Sequence, residues 1–340
     1  MRAFLFALLV VCTPTALAKE PVSFEQWLTE LKAEAKQRKF SETTLAALEG
    51  LAQLPEVIEK DKHQPEKKMT FEEYRKLILS EWRINKGRTL YAQHKELLDE
   101  VGAKYGVHPE YLVALWGVES AYGTRQGDFS ILAALATLAH EGRRATFFRS
   151  ELFSALKILE QGHATRETLK GSWAGAMGQC QFMPSTFLAY AADGNGDGRK
   201  DIWATEADVF SSAARYLSRI GWDRKSHWGQ AVEVPTGLEE ALFNQKLLKT
   251  LTEWRRLGVK TPEGQPIEGG TRKATLARPG GDSGPVYLMH ANYHALMRWN
   301  RSKFFGAAVS LLAAEIVKPA PEVMNPPDAA SGMTPDAGTR

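Results

Sequence analysis

Apolar residues along this chain recur mainly at helical spacing. Phe24, Trp27, Leu28 and Leu31 fall on one helix face, and Ser23 with Gln26 reads as a capping box at its start. Thr70 with Glu73 reads as a second box, opening a helix whose apolar face is Phe71, Tyr74, Leu77, Ile78 and Trp82. The charged run 60–68 between them, with Pro65 inside it, reads as a linker rather than a binding patch. The span 109–122, PEYLVALWGVESAY, is different. It is apolar on almost every side, with Pro109 suited to the first helical position and Gly123 to the residue past the end. Helical spacing continues over 131–139, 147–161 and 209–220, and returns over 304–317. Between 222 and 285, prolines and glycine pairs cut the chain into short pieces, and alternation near 231–234 and 286–289 predicts short strands. The last two dozen residues, rich in Pro, Ala and Gly, predict a disordered tail.

Composition narrows the reading. At 340 residues and 44% hydrophobic, the chain has material for one large domain or two ordinary ones. Lys+Arg at 43 against Asp+Glu at 40 is too balanced to argue for a nucleic-acid partner. The N-terminus sets the compartment. Arg2, the apolar run 3–12 and Ala16-Leu17-Ala18 form a signal peptide over 1–18, with cleavage expected before Lys19. The run is too short to span a bilayer. Leu9-Val10-Val11-Cys12 loosely resembles a lipoprotein cleavage box, with Val11 a poor fit where a small residue is wanted. The expected location is therefore the periplasm, with a lipid anchor at Cys12 as the alternative. Cleavage leaves Cys180 alone, so the exported fold has no internal disulfide.

Three segments carry candidate chemistry. Glu119 falls in the last turn of the 109–122 helix, beside Trp116, Val118 and Tyr122. Burial disfavours a charged carboxylate, and the negative end of the helix dipole acts in the same direction; both raise the pKa, as a general acid requires. A surface glutamate with its stem laid on an apolar helix is the alternative reading of the same pattern. The second segment, GSWAGAMGQCQFMPS over 171–185, is dense in small residues that suit close backbone approach to a helix or a ligand. Gln179 and Gln181 alternate there with small or apolar groups, a spacing that would project polar side chains into a groove. Ser172 stands in the order G-S-x-x-G and is no nucleophile elbow, and Cys180 reads as a small packing residue.

The third segment is DGNGDGRKD over 193–201. Asp193, Asn195, Asp197 and Asp201 put oxygen donors at loop positions one, three, five and nine, with Arg199 offering its carbonyl at seven. That is the pattern of an EF-hand-type calcium loop. Position twelve is Ala204, so the last ligand falls to Glu206 or Asp208 in a longer loop. The alternative is a metal-free glycine turn, with Thr205 and Asp208 capping the next helix. His290 and His294 lack the glutamate of a zincin helix and read as a surface pair, and Asn300-Arg301-Ser302 reads as a chance glycosylation sequon.

Taken together, these segments resemble the lytic murein transglycosylase B family, bacterial enzymes that cleave the glycan strands of peptidoglycan. The likeness runs from about Phe24 to Val317. It is densest at WGVESAYG (116–123), EGRRATFF (141–148), GSWAGAMGQCQFMPS (171–185) and DGNGDGRKDIW (193–203), with VYLMHANYHALMRWNRS (286–302) closing it. The resemblance implies a mainly α (α+β) fold: a lysozyme-like core with an EF-hand-type calcium loop, a helical N-terminal region and a small mixed α/β region. It implies Glu119 as the single catalytic acid/base, and Ser172, Gln181, Tyr216 and Asn300 as groove residues. Trp299 stands where the family often has tyrosine, keeping an aromatic face and losing a hydroxyl. Arg143 and Arg144 match a basic pair for peptide-stem carboxylates, and Asp193, Asn195, Asp197, Arg199, Asp201 and Asp208 would surround a structural calcium ion.

The expected layout follows: signal peptide 1–18, helical region 19–107, catalytic core 108–225, mixed region 226–285, return to the core 286–317 and tail 318–340. The expected activity is cleavage of the bond between N-acetylmuramic acid and N-acetylglucosamine, leaving 1,6-anhydro ends. Glycan strands are the expected partner, with other cell-wall enzymes beside them, and the protein is expected to be a monomer. Two alternatives stand: a lysozyme-like hydrolase using Asp128 or Glu141 as a second carboxylate, and a non-catalytic peptidoglycan-binding scaffold.

Overall fold

The structure is a computed structural model that describes residues 22–63, 69–141, 143–281 and 284–319. The signal peptide over 1–18, Cys12, residues 64–68 of the charged run and the tail from 320 onward lie outside the described residues. The N-terminal part is helical throughout: α1 (Phe24–Gln37), α2 (Glu42–Ala46), α3 (Pro55–Lys62), α4 (Phe71–Ile78), α5 (Glu81–Gln93) and α6 (Lys95–Tyr105). Then come α7 (Pro109–Ser120), β1 (Phe129–Ser130), α8 (Ile131–Glu141), α9 (Ala145–Glu160), β2 (Lys170–Gly171), α10 (Pro184–Tyr190) and α11 (Glu206–Arg219). The rest is β3 (Gly229–Val232), β4 (Lys249–Thr250), α12 (Leu251–Arg256), β5 (Lys273–Ala277), β6 (Val286–Met289), α13 (Ala291–Trp299) and α14 (Lys303–Val317).

Three helices without a polar face form the centre. In α7, Tyr111 to Gly117 and Ser120 are buried; in α8, Ile131 to Ala139 are buried. In α14, Phe305 to Ser310, Leu312, Ala313 and Ile316 are buried. Helices apolar all round must be enclosed by others. Accordingly α14 lies along α7 and touches α4 and α5, while α8 packs on α9 and α11 on α6. An antiparallel sheet of order β3-β6-β5-β4 stands beside this core, with Gly229 opposite Met289 and Thr275 opposite Met289 on the other side. Val232, Trp254, Val259, Ile267, Leu276 and Leu288 form its own apolar cluster. Phe71, Tyr287, Met289, Tyr293 and Ala307 join the sheet to α4, α13 and α14.

Some expectations need adjusting. The Thr70–Glu73 capping box is complete, but at Ser23 only half forms: its hydroxyl accepts from the Gln26 amide. Residues 60–62 of the expected linker are the last turn of α3. The helix expected over 109–122 ends at Ser120, because Ala121 and Tyr122 turn left-handed at φ 50° and 59°. The helix expected over 209–220 starts three residues earlier, at Glu206. His290 and His294 are no surface pair: α13 lies against the sheet, so His290 is buried and pairs with the Lys273 carbonyl, while His294 pairs with the Thr275 hydroxyl.

Missed entirely were the acids that cap helices from a distance. Buried Glu151 on α9 accepts from both the amide (2.8 Å) and the hydroxyl (2.6 Å) of Ser185 in the first turn of α10. It offsets unpaired N–H groups and the positive helix end together. Packing around α7 is equally specific. A Cβ on Gly117 would lie 2.5 Å from the Tyr122 ring, which that glycine admits beneath α7. Gly117→Ala should therefore lower stability by about 1–3 kcal/mol, the usual cost of overpacking a filled core. Thermal unfolding checks it; an unchanged melting temperature would mean the ring is free to move aside.

Candidate active site

The candidate site grows from the end of α7. Ala121, Tyr122 and Gly123 are all left-handed, at φ 50°, 59° and 81°, so the chain turns sharply after Glu119. For each of the two non-glycine residues this costs about 1–3 kcal/mol and needs a surrounding structure that enforces it. Here the Tyr122 amide donates to the Trp116 carbonyl (3.1 Å) and the Arg125 amide to the Ser120 carbonyl (2.8 Å). The Tyr122 hydroxyl donates to the Arg83 carbonyl at 2.7 Å. Arg83 itself donates to the carbonyls of Gly117 (3.1 Å), Leu77 (2.5 Å) and Ile78 (3.1 Å), binding α7 to the ends of α4 and α5. Sequence reading missed this residue, since a single arginine in a helix carries no periodic signal.

Glu119 is half-buried. Its recess is lined by Leu112, Leu115, Trp116, Cys180, Val209 and Ala213, together with Gln179 and Trp299. The space left there is about 10 Å³, enough for one water at most. Burial among these walls pushes the carboxyl up to about 7, against a smaller opposing pull from a hydrogen bond to Trp299. That bond is direct: the Trp299 indole N–H donates to Glu119 Oε1 at 2.6 Å. Behind Trp299 the rings form a stack. Trp299 and Tyr216 lie 4.9 Å apart at 29°, and Tyr216 and Tyr190 lie 4.4 Å apart at 22°. Phe182 meets both Trp299 and Tyr216. Tyr190 and Phe182 were not singled out by sequence, although aromatic residues near the 171–185 segment were the available signal.

The segment from Gly171 to Phe182 folds back against the turn after α7. The Ser172 amide donates to the Ala176 carbonyl (2.8 Å), Met177 and Phe182 exchange backbone bonds, and the Ser172 hydroxyl oxygen accepts from the Ala176 amide at 3.0 Å. Gln181 is left-handed at φ 50°, and its amide nitrogen donates to the carbonyls of Gly178 (2.8 Å) and Gln126 (3.0 Å). This ties the segment to the chain just past Glu119. Gln179 does not project into a groove. It is buried, accepting from the Trp116 indole (2.6 Å) and donating to the Trp203 carbonyl (2.9 Å), so it fixes the wall beside Glu119. Cys180 is buried with its thiol against the Val209 carbonyl, and burial pushes its pKa up, away from nucleophile behaviour.

Other expected residues lie elsewhere. Arg143 and Arg144 both pair with Asp61 on α3, at 3.1 and 3.4 Å, just past the C-terminal end of α8. The N-terminal end of α8 follows β1, which pairs with Gly171. At a rise of about 1.5 Å per residue, α8 sets the basic pair roughly 16 Å from that strand pair. Glu141 sits at the same far end and accepts from Gln53 at 2.6 Å, while Asp128 is exposed in the turn before β1. Neither lines the Glu119 recess. Asn300 is exposed just past α13, its side-chain oxygen accepting from the Ser302 amide at 3.0 Å.

In the 193–201 loop the acids serve the loop's own amides. Asp193 accepts from Gly196 (2.7 Å), Asp197 (3.1 Å) and Gly198 (2.8 Å), and Asp197 accepts from the amide of Arg199 (2.8 Å). Asn195 accepts from Asp197 at 3.2 Å, and Asp201 accepts from Trp203 at 2.9 Å. The donor atoms suit a hard cation chemically, yet among the described residues no three Asp, Glu, His or Cys side chains gather as a metal site. Asp208, the expected last ligand, sits beside the loop rather than in it. Because α11 starts early, Asp208 lies in its first turn, fully buried, accepting from Gly194 (2.7 Å) and Asp201 (2.5 Å) and so clamping both ends of the loop. Thr205 precedes α11 without a side-chain cap.

A single carboxyl pushed up to about 7 by burial stands beside stacked aromatic rings in a mainly helical core of the lysozyme-like class. The chain belongs to the transglycosylase SLT domain family, whose model matches residues 23–314. It is 33% identical over 243 residues to membrane-bound lytic murein transglycosylase B of Escherichia coli (strain K12), a match covering 69% of this chain and 64% of that protein. The fold matches SltB3 from Pseudomonas aeruginosa, crystallised in complex with NAG-anhNAM-pentapeptide, with a TM-score of 0.84 and 38% identity over 86% of this chain and 79% of that one. It also matches the Escherichia coli lytic transglycosylase SLT35 in complex with calcium, at TM-score 0.73 and 27% identity, covering 85% of this chain and 92% of that one. No helix among the described residues is long and apolar enough to cross a membrane.

The raised carboxyl carries a pH signature. A Glu119 that titrates near 7 when folded and near 4.5 when unfolded contributes stability that is complete below about 4.5 and lost as pH rises through about 7. Glu119→Gln has no such charge to bury. Its melting temperature should therefore climb relative to wild type across that window and run parallel outside it. Parallel curves throughout would mean that the carboxyl is not raised.

Proposed function

We propose that this protein is an exported lytic transglycosylase that cleaves the β-1,4 bond between N-acetylmuramic acid and N-acetylglucosamine in peptidoglycan. The observation that carries the reading is Glu119, one carboxyl that burial pushes up to about 7, with no second carboxylate among the residues lining its recess. Glu119 gives its proton to the bridging oxygen as the bond from C1 breaks. The carboxylate so formed takes the proton of the muramoyl C6 hydroxyl, and that oxygen closes onto C1 as a 1,6-anhydro ring. Bonds and protons balance, and the acid is regenerated. Hydrolysis would recruit a water with a second carboxylate, or form a glycosyl-enzyme with one. Here the nucleophile belongs to the substrate, so one carboxyl suffices. The anhydro sugar in the complex of the relative SltB3 supports this choice.

In this reading Ser172, Gln181, Tyr216 and Asn300 line the glycan groove, and the core that works on the strand is 108–225 with 286–317. Arg143 and Arg144, tied to Asp61, take no part in bond breaking and remain candidates for the carboxylates of peptide stems. The periplasm is the working compartment, reached by the signal peptide over 1–18. The loop from Asp193 to Asp201 binds calcium for stability rather than chemistry, a reading supported by its oxygen donors and by the calcium complex of SLT35.

Three outcomes are expected. Glu119→Gln should fold and lower cleavage of purified glycan strands below about a hundredth, given the ~10²–10⁴-fold contribution of general acid catalysis. Mass spectrometry of wild-type products should give muramoyl ends lighter by one water and non-reducing; reducing ends as the main product would move the reading to hydrolysis. A silent scaffold would leave no clearing in a zymogram of cell-wall material. Calcium added after a chelator should raise the melting temperature of wild type and much less that of Asp197→Ala, since only the folded loop binds. Indifference to calcium in both would leave a metal-free turn.

A further inference from the structure

Trp299 reaches Glu119 across 180 positions of sequence, and its contact is a hydrogen bond rather than ring stacking alone. An indole N–H has one capability: it donates and never accepts. The oxygen it touches, Glu119 Oε1, must therefore act as an acceptor whether the carboxyl is neutral or charged. We propose that Trp299 is a positioning residue for Glu119, engaging Oε1 as an acceptor and so favouring Oε2 as the oxygen that carries the transferable proton. A tyrosine hydroxyl at the same place would rotate to donate or to accept, leaving the proton free to sit on either oxygen. The inference rests on the reading of Glu119 as the acid.

The setting makes the indole able to hold this role. Trp299 is the last residue of α13, and the C-terminal end of that helix is fixed by the Arg298 guanidinium, which donates to the Ile220 carbonyl at 2.6 Å. The ring is held flat by Tyr216 on α11 and edged by Phe182. Rotation of the indole would break the stack, so the direction of its N–H is set before any substrate arrives. The titratable groups at this corner are Cys180, which lines the recess, and Tyr216 on α11, stacked on Trp299, and burial raises the pKa of both. Among the described residues, no other charged side chain lines the recess with Glu119. The indole is thus the polar group left to bias the carboxyl.

A donor that bonds the carboxylate more strongly than the neutral acid lowers the pKa, so its removal must raise it. The experiment is the pH dependence of kcat and KM on soluble glycan strands for wild type, Trp299→Phe, Trp299→Tyr and Glu119→Gln. Trp299→Phe keeps an aromatic face against Tyr216 and loses the N–H. Its falling high-pH limb should move up by about one pH unit or more, the equivalent of a hydrogen bond to a charged group. Its kcat below that limb should drop about tenfold, as expected when a group is loosened from its productive geometry, with KM changed little. Trp299→Tyr should bring the limb back toward the wild-type position. If Trp299→Phe folds poorly, replacing Trp299 by β-(3-benzothienyl)alanine puts sulfur where the N–H was in a ring of the same shape, and the same upward shift is expected. An unmoved limb with the whole loss in KM would overturn the proposal and make Trp299 a stacking surface for sugar. Retained activity in Glu119→Gln would instead overturn the reading of Glu119, independently of any shift at Trp299.

Discussion

The constraint on which this structure turns is the burial of one carboxyl, Glu119, which pushes its pKa up to about 7. Among the described residues no other charged side chain lines the recess of Glu119; burial raises its pKa. Enclosure requires a helix with no polar side, and α7 is such a helix, buried from Tyr111 to Gly117. It also requires walls from far along the chain. Cys180 and Gln179 come from the folded-back segment, Val209 and Ala213 from α11, and Trp299 from α13. The helical core can be read as the apparatus that brings these pieces to the last turn of α7.

That apparatus explains features which look costly in isolation. Ala121 and Tyr122 in left-handed conformation strain the backbone, but they end α7 right after Glu119 and send Tyr122 under Gly117. Arg83 surrenders hydration to hold three carbonyls, and burial depresses its pKa without removing its charge, since an arginine starts so high. The gain is a fixed junction among α4, α5 and α7. The return of the chain from the sheet has a similar logic. Strand β6 leads directly into α13, and α13 ends on Trp299, so the sheet anchors the helix that carries the donor to Glu119.

How much of this was legible in the sequence depends on the range of the interaction. The apolar span at 109–122 announced a buried helix, because that effect is local; the glutamate in its last turn fitted a buried acid or a surface residue, and the distant walls at Cys180, Val209 and Trp299 decide between them. Helices α1, α4, α7, α8, α9, α11 and α14 appeared from their spacing, and the strand over 286–289 from its alternation. What escaped depends on pairing across the fold. Gln179 shows the same pattern as Gln181 in sequence, yet one meets Trp116 and is enclosed while the other ties down a neighbouring loop. The basic pair at 143 and 144 looked like a ligand for acids, and it found Asp61, 82 and 83 positions away. His290 and His294 looked exposed because periodicity does not say which helix face meets a sheet. Asp208 was reached by counting loop positions, but its bonds to the amides at both ends of the loop depend on where α11 starts.

The central claim is that the folded protein holds Glu119 protonated up to about neutral pH, and the most direct measurement is the titration of that carboxyl itself. Protein labelled with carbon-13 at glutamate side-chain carboxyls would be followed by NMR as pH is raised, with the Glu119 resonance assigned by its loss in Glu119→Gln. The account predicts a single carboxyl titrating at about 7, set apart from the other glutamates. A Glu119 resonance that titrates near the ordinary 4.5 would contradict it.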